Sequence, residues 1–131
     1  MILDSTYVFD LMAGNPDALR KGVEVVERGD RQWLPVPVVA EAFYGGATER
    51  SDTTEREVKN RLRNYPEIDV NDEIARVAGR LYAEADDREG GDSGVEATDA
   101  YIAATAELLD QSVLTTNVAD FEKLGVLVET Y

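Results

Sequence analysis

The sequence predicts an α/β fold in which a parallel sheet is covered by helices on both faces. Three observations predict it. Short apolar or β-branched runs alternate with stretches of helical periodicity along the chain. The 131 residues fit one domain spanning 1–131, long enough to bury roughly 65% of the unfolded surface. No internal repeat or low-complexity tract interrupts the alternation, and the one loop-like insert, Asp86 to Gly94, is too short to divide domains.

Met1 to Leu3 reads as a buried strand, and Asp4-Ser5-Thr6 as the turn into a helix carrying Val8, Leu11 and Met12 at helical spacing. Gly14-Asn15-Pro16 ends that helix, and Asp17 to Gly29 forms a second one with Leu19, Val23 and Val26 as its periodic positions. Gln32 to Val36 is a short strand. Pro37 suits the first turn of a third helix, running through Val38, Val39, Ala42 and Phe43 to a break at Gly45-Gly46. Thr54 and Glu57 have the form of a capping box opening a polar helix to about Asn64. Pro66 to Val70 is strand-like, and Asn71 caps a helix with Ile74, Val77, Ala78, Leu81, Tyr82 and Ala85 on one face. Ser93 and Glu96 suggest a second capping box before a helix carrying Asp99, Ile102, Ala103 and Ala106. Val113 to Thr116 is a strand, Ala119 to Leu124 a short helix, and Gly125 to Val128 a last strand.

The chain contains no Cys and no His, which removes thiolate and imidazole chemistry, zinc fingers and disulfide frameworks together. Ionic chemistry must rest on carboxylates. The opening MILDSTYVFDLM lacks a basic region and an uninterrupted apolar core, and no segment approaches 18 apolar residues, so a cytoplasmic protein without membrane attachment is expected. The formal net charge is -14, from 27 acids against 13 bases, and only Lys21, Lys59 and Lys123 are lysines. That balance keeps a chain soluble in concentrated salt, where screening removes the self-repulsion, and it points to a halophilic source.

The bases fall at 20–31, 50–63, 76–88 and Lys123, leaving 1–19, 32–49 and 89–122 without any. Those empty intervals hold Asp4, Glu41, Asp99 and Asp120, of which only Asp120 has a base within helical reach, at Lys123. Two carboxylates about 5 Å apart repel by roughly 3 kcal/mol at an effective dielectric near 20. If the four converge, proton sharing or a divalent cation must offset that repulsion, and oxygen-only ligation selects Mg²⁺ or Mn²⁺ over zinc or copper. Each acid also has a purely structural use: Asp4 and Asp99 near helix N-termini, Glu41 on a helix border, Asp120 in a box capped by Asn117. Asp4 and the Thr115–Asn117 turn both stand at carboxyl ends of strands, where open α/β sheets bind ligands.

At MILDSTYVFDLM, PVPVVAEAFYGG, TDAYIAATA and VLTTNVADF the sequence resembles the PIN-domain family, and within it the single-domain VapC-like toxins. The resemblance covers nearly the whole chain, and DAYIAATA with TTNVADF carries most of its specificity. It implies a three-layer α/β/α sandwich with a central, mostly parallel sheet. It also implies a Mg²⁺- or Mn²⁺-dependent endoribonuclease, often a homodimer, held in check by a small antitoxin protein. On that reading Asp4, Glu41 and Asp99 are ligand carboxylates and Asp120 the fourth acid, with Thr115, Asn117 and Ser5 in support. Thr116 departs from the basic or amide residue often found there, and Ser5 stands where many members have Thr.

Rival readings are a PIN nuclease of RNA maturation, a PIN-fold binding module without catalysis, and a Mg²⁺-dependent phosphotransferase or receiver domain. The last would want a lysine in a late loop, and 89–122 has none. A stripe of Arg56, Lys59 and Arg63 at i, i+3 and i+7 is the one concentrated basic surface, suited to RNA or to an acidic partner.

Overall fold

A computed structural model describes residues 1–48 and 54–131; Arg50, first base of the 50–63 group, lies outside them. Five two-residue strands alternate with seven helices among the described residues: β1 (Ile2–Leu3), α1 (Ser5–Met12), α2 (Pro16–Glu27), β2 (Leu34–Pro35), α3 (Val36–Ala47), α4 (Glu55–Leu62), β3 (Glu67–Ile68), α5 (Asp72–Arg88), α6 (Ala97–Leu109), β4 (Val113–Leu114), α7 (Val118–Lys123) and β5 (Val128–Glu129).

All strand pairs are parallel: β1 with β4, β4 with β5, and β2 with β3. The two parts of the sheet join where Ile2 bridges Trp33, with Leu3 N–H donating to the Trp33 carbonyl at 2.9 Å. The order is therefore β3-β2-β1-β4-β5. In β1 and β4 consecutive residues point to opposite faces, and Ile2, Leu3, Val113 and Leu114 are all fully buried, so both faces are covered. The chain moves from β1 to β3 in one direction, then returns to β4 and β5 on the other side of β1. Right-handed crossovers place the helices of those two halves on opposite faces. On one side α1 packs against α2 and α3, and α3 against α4; on the other α5 packs against α6, and α6 against α7. The direction reverses between β1 and β4, the topological switch point where such sheets bind ligands. Among the described residues no helix is long and apolar enough to cross a membrane.

Local signals set most boundaries. Asn15 caps α2, accepting from Asp17 N–H at 2.9 Å with Pro16 in the first turn. Thr54 and Glu57 close the capping box of α4 reciprocally, and Asn71 Oδ1 accepts from Ile74 N–H at 2.9 Å. Five expectations differ, one being the last strand, which is Val128–Glu129 rather than Gly125 to Val128. The strand at 32–36 shortens to Leu34–Pro35 because Val36 already begins α3. Gly45-Gly46 does not break α3, which continues to Ala47. A Cβ on Gly46 would lie 3.0 Å from Val58 Cγ2 and 3.3 Å from backbone atoms of Thr54 and Glu55, so the glycine serves the close approach of α4. The inner face of α2 is Ala18, Gly22 and Val25, whereas Leu19, Val23 and Val26 are about half exposed or more. Tyr7 decides this: its hydroxyl would stand 2.7 Å from a Cβ on Gly22, so the ring fills the space against that glycine. Finally, Ser93 and Glu96 form no capping box. The Ser93 hydroxyl and N–H both donate to Asp86 Oδ1, at 2.6 and 2.8 Å, and α6 starts at Ala97 with no side-chain cap.

Candidate active site

Asp4 follows β1 directly and is 1% exposed. It occupies the N-cap position of α1, yet its carboxylate accepts no capping hydrogen bond from a backbone N–H of that helix. Its oxygens are held by hydroxyls instead. Thr115 Oγ1 donates to Oδ2 at 2.6 Å, Thr6 Oγ1 donates to the same oxygen at 2.9 Å, and Ser5 Oγ lies 3.5 Å from Oδ1. Thr115, fully buried at the end of β4, also accepts from Asn117 N–H at 2.9 Å, and Thr6 accepts from Thr116 N–H at 3.1 Å. The turn after β4 is thereby tied to the turn after β1 across the switch point.

Asp99, in the first turn of α6, has its pKa raised from 3.8 to about 7. Burial is the first cause, followed by the negative charges of Asp4, Asp120, Glu96 and Glu41. Glu41, on α3, is also pushed up, by burial and then by Asp4 and Glu96, while a hydrogen bond with Ser5 opposes the shift. Ser5 therefore stands between Asp4 and Glu41. Asp120, on α7, accepts from Asn117 Nδ2 at 3.0 Å and pairs with Lys123 at 3.8 Å. Asn117 gives α7 no side-chain cap, so its amide holds Asp120 rather than the helix end.

The structure brings the other three predicted acids, Asp4, Glu41 and Asp120, within electrostatic reach of Asp99, with Thr115, Asn117 and Ser5 among them. Sequence reasoning missed Thr6 and Glu96. Both were findable: Thr6 belongs to the turn that carries Asp4, and Glu96 lies three residues before Asp99 in the same base-free interval. The Arg56–Lys59–Arg63 stripe is exposed. Arg61, on the same helix, reaches the Leu11 carbonyl at 3.5 Å, at the end of α1 opposite Asp4.

The donor set is carboxylate and hydroxyl oxygen alone, mutually repelling and, among the described residues, without a compensating base beyond Lys123, which suits a hard divalent cation. Among the described residues no three carboxylates close to the spacing of a direct ligand set.

A family model described as PIN domain matches residues 1–127. No curated protein matches the chain by sequence. Among solved structures, the chain resembles a component of VapBC2 from Rickettsia felis bound to a promoter DNA fragment (18% identity, TM-score 0.82, covering 99% of this chain and 97% of that one). It also resembles one of DNA-bound VapBC from Salmonella typhimurium (24% identity, TM-score 0.81, 98% and 96%). A chain of FitAcB from Neisseria gonorrhoeae matches at 19% identity and TM-score 0.78, covering 97% and 94%.

Proposed function

The chain belongs to the PIN-domain family, and from that premise we propose that it is a Mg²⁺- or Mn²⁺-dependent endoribonuclease, the toxin of a toxin–antitoxin pair. The observation that carries this reading is Asp4. A buried carboxylate at the switch point, oriented by Thr115 and Thr6 and unused as a helix cap, has no structural employment that a neutral residue would not fill better. When bound, the cation would make water nucleophilic near neutral pH and offset charge on the phosphate. Asp4, Asp99 and Glu41 would hold it, partly through water, with Asp120 beside them. The two threonine hydroxyls fix the Asp4 carboxylate, Asn117 fixes that of Asp120, and Ser5 keeps Glu41 and Asp4 apart. Burial and the neighbouring carboxylates raise the Asp99 pKa in the metal-free protein, and a bound cation would favour its charged form.

A small antitoxin protein is the proposed partner, supported by the toxin–antitoxin complexes among the structural neighbours, and the family resemblance supports a cytoplasmic homodimer. The test is incubation of the purified protein with total RNA, with and without Mn²⁺, beside an Asp99→Asn control. Cleavage that needs Mn²⁺ and disappears in the variant is expected. RNA left intact by the wild type under both conditions overturns the nuclease reading.

A further inference from the structure

A second feature shares a wall with the acidic site. On α3, Pro37, Ala40, Glu41 and Tyr44 fall at i, i+3, i+4 and i+7 and line one cleft of about 490 Å3, which Thr98 and Tyr101 of α6 and Phe9 of α1 complete. Its size is in the range of small-ligand sites, roughly 300–1,000 Å3. Its surface is aromatic and apolar, and the aromatic side chains are open: Tyr44 is 76% exposed and Phe9 40%. Among the described residues Glu41 is the only charged one of the lining, and Thr98 immediately precedes Asp99. The cleft is therefore continuous with the carboxylate cluster.

An RNA nuclease with this charge has a binding difficulty. The chain carries -14 overall, and 1–19, 32–49 and 89–122, which supply every wall of both the cleft and the acidic site, contain no Lys or Arg. Phosphate attraction cannot hold the strand there, and at high ionic strength it fades further. Stacking of a base on an aromatic face needs no cation, and is worth about 1–3 kcal/mol per base. Three aromatic side chains contributed by three helices, beside the carboxylates, are the groups that recognition of unpaired bases uses. The Tyr44 and Tyr101 hydroxyls add donors and acceptors for a base edge.

We propose that the cleft walled by Phe9, Tyr44 and Tyr101 beside Glu41 is a nucleobase subsite, in which an unpaired base flanking the cleaved phosphodiester stacks on Tyr44. The proposal rests on the nuclease reading and names how that site holds its substrate. A base seated there puts its own phosphodiester next to Glu41 and Asp99, so stacking positions the strand as well as retaining it. Affinity that comes from this cleft varies little with salt.

The test uses the intact protein, a set of single-stranded RNAs assayed for cleavage with every cut position mapped, and fluorescent, uncleavable analogues of them for binding. Tyr44→Ala is expected to fold normally, its side chain being exposed, and to weaken binding of the analogue and raise KM by roughly tenfold, with kcat little changed. Tyr44→Trp is expected to retain wild-type binding. An abasic residue at one position flanking the cut should cost the wild type a similar factor and cost Tyr44→Ala nothing more. Unchanged binding by Tyr44→Ala, or an abasic substitution without effect at every flanking position, overturns the proposal. So does a weakening accompanied by dissociation of a dimer into monomers in light scattering, which would assign the face to a second copy. Wild-type protein that binds the analogue through Tyr44 but cleaves nothing refutes the nuclease reading and leaves the subsite standing; wild-type protein that binds no RNA refutes both.

Discussion

Replacing Asp99 by Asn should stabilise the metal-free protein while abolishing cleavage. In the fold the Asp99 pKa is raised from 3.8 to about 7, so folded protein binds this proton more tightly than unfolded chain does. The sign follows by linkage. The contribution of this group to stability is fullest below the unfolded value and is lost as pH rises through about 7. A rise of about 3 pKa units corresponds to ~4 kcal/mol at most. Asp99 is only about half buried, and solvent screening reduces that to ~2 kcal/mol above pH 7. Asparagine keeps the shape and never ionises. In EDTA at pH 8 the variant should therefore melt higher, by roughly 7 °C at 3–4 °C per kcal/mol for a chain of this size. The gap should close between pH 7 and pH 4. Added Mn²⁺ should raise the melting temperature of the wild type, because a cation relieves the same repulsion, by about 2.7 kcal/mol at a hundred times its dissociation constant. It should raise that of Asp99→Asn far less. Scanning calorimetry across pH, with EDTA and with Mn²⁺, measures each quantity. A variant that melts below the wild type at pH 8, or an equal Mn²⁺ shift in both, refutes the account of an acid held against its neighbours for a cation.

Other expectations are independent of that one. Thr115→Val removes the 2.6 Å hydrogen bond to buried Asp4 and the acceptor for Asn117 N–H, and should cost about 1.5–3 kcal/mol in urea unfolding along with most cleavage; Thr115→Ser should restore both. Gly22→Ala should cost about 1–3 kcal/mol by forcing its Cβ against the Tyr7 hydroxyl, 2.7 Å away. That hydroxyl is buried without a partner, so Tyr7→Phe should be neutral or stabilising and should rescue Gly22→Ala; additive losses in the double variant would refute the contact. Unfolding midpoints should rise from 0.1 to 2 M KCl as screening relieves the charge of -14, and full stability at 0.1 M would remove the case for a halophilic source.

Periodicity and local chemistry determined much of this molecule without tertiary information. Alternating elements, the caps Thr54 and Asn71, and the absence of His and Cys were legible because each depends on neighbours along the chain or on composition alone. The base-free intervals located the acids for the same reason: a missing ion-pair partner within four residues is a local fact. What the sequence could not decide was where local options compete with distant ones. Ser93 could cap α6, but Asp86 takes its hydroxyl; Gly46 could end α3, but α4 needs the space; Leu19, Val23 and Val26 could face the core, but Tyr7 sets the rotation of α2. Asp4 is the clearest case. Its local use would be to cap α1, and only the parallel pairing of β1 with β4, which sets Thr115 beside it from 111 residues away, places that carboxylate at the centre of the candidate site.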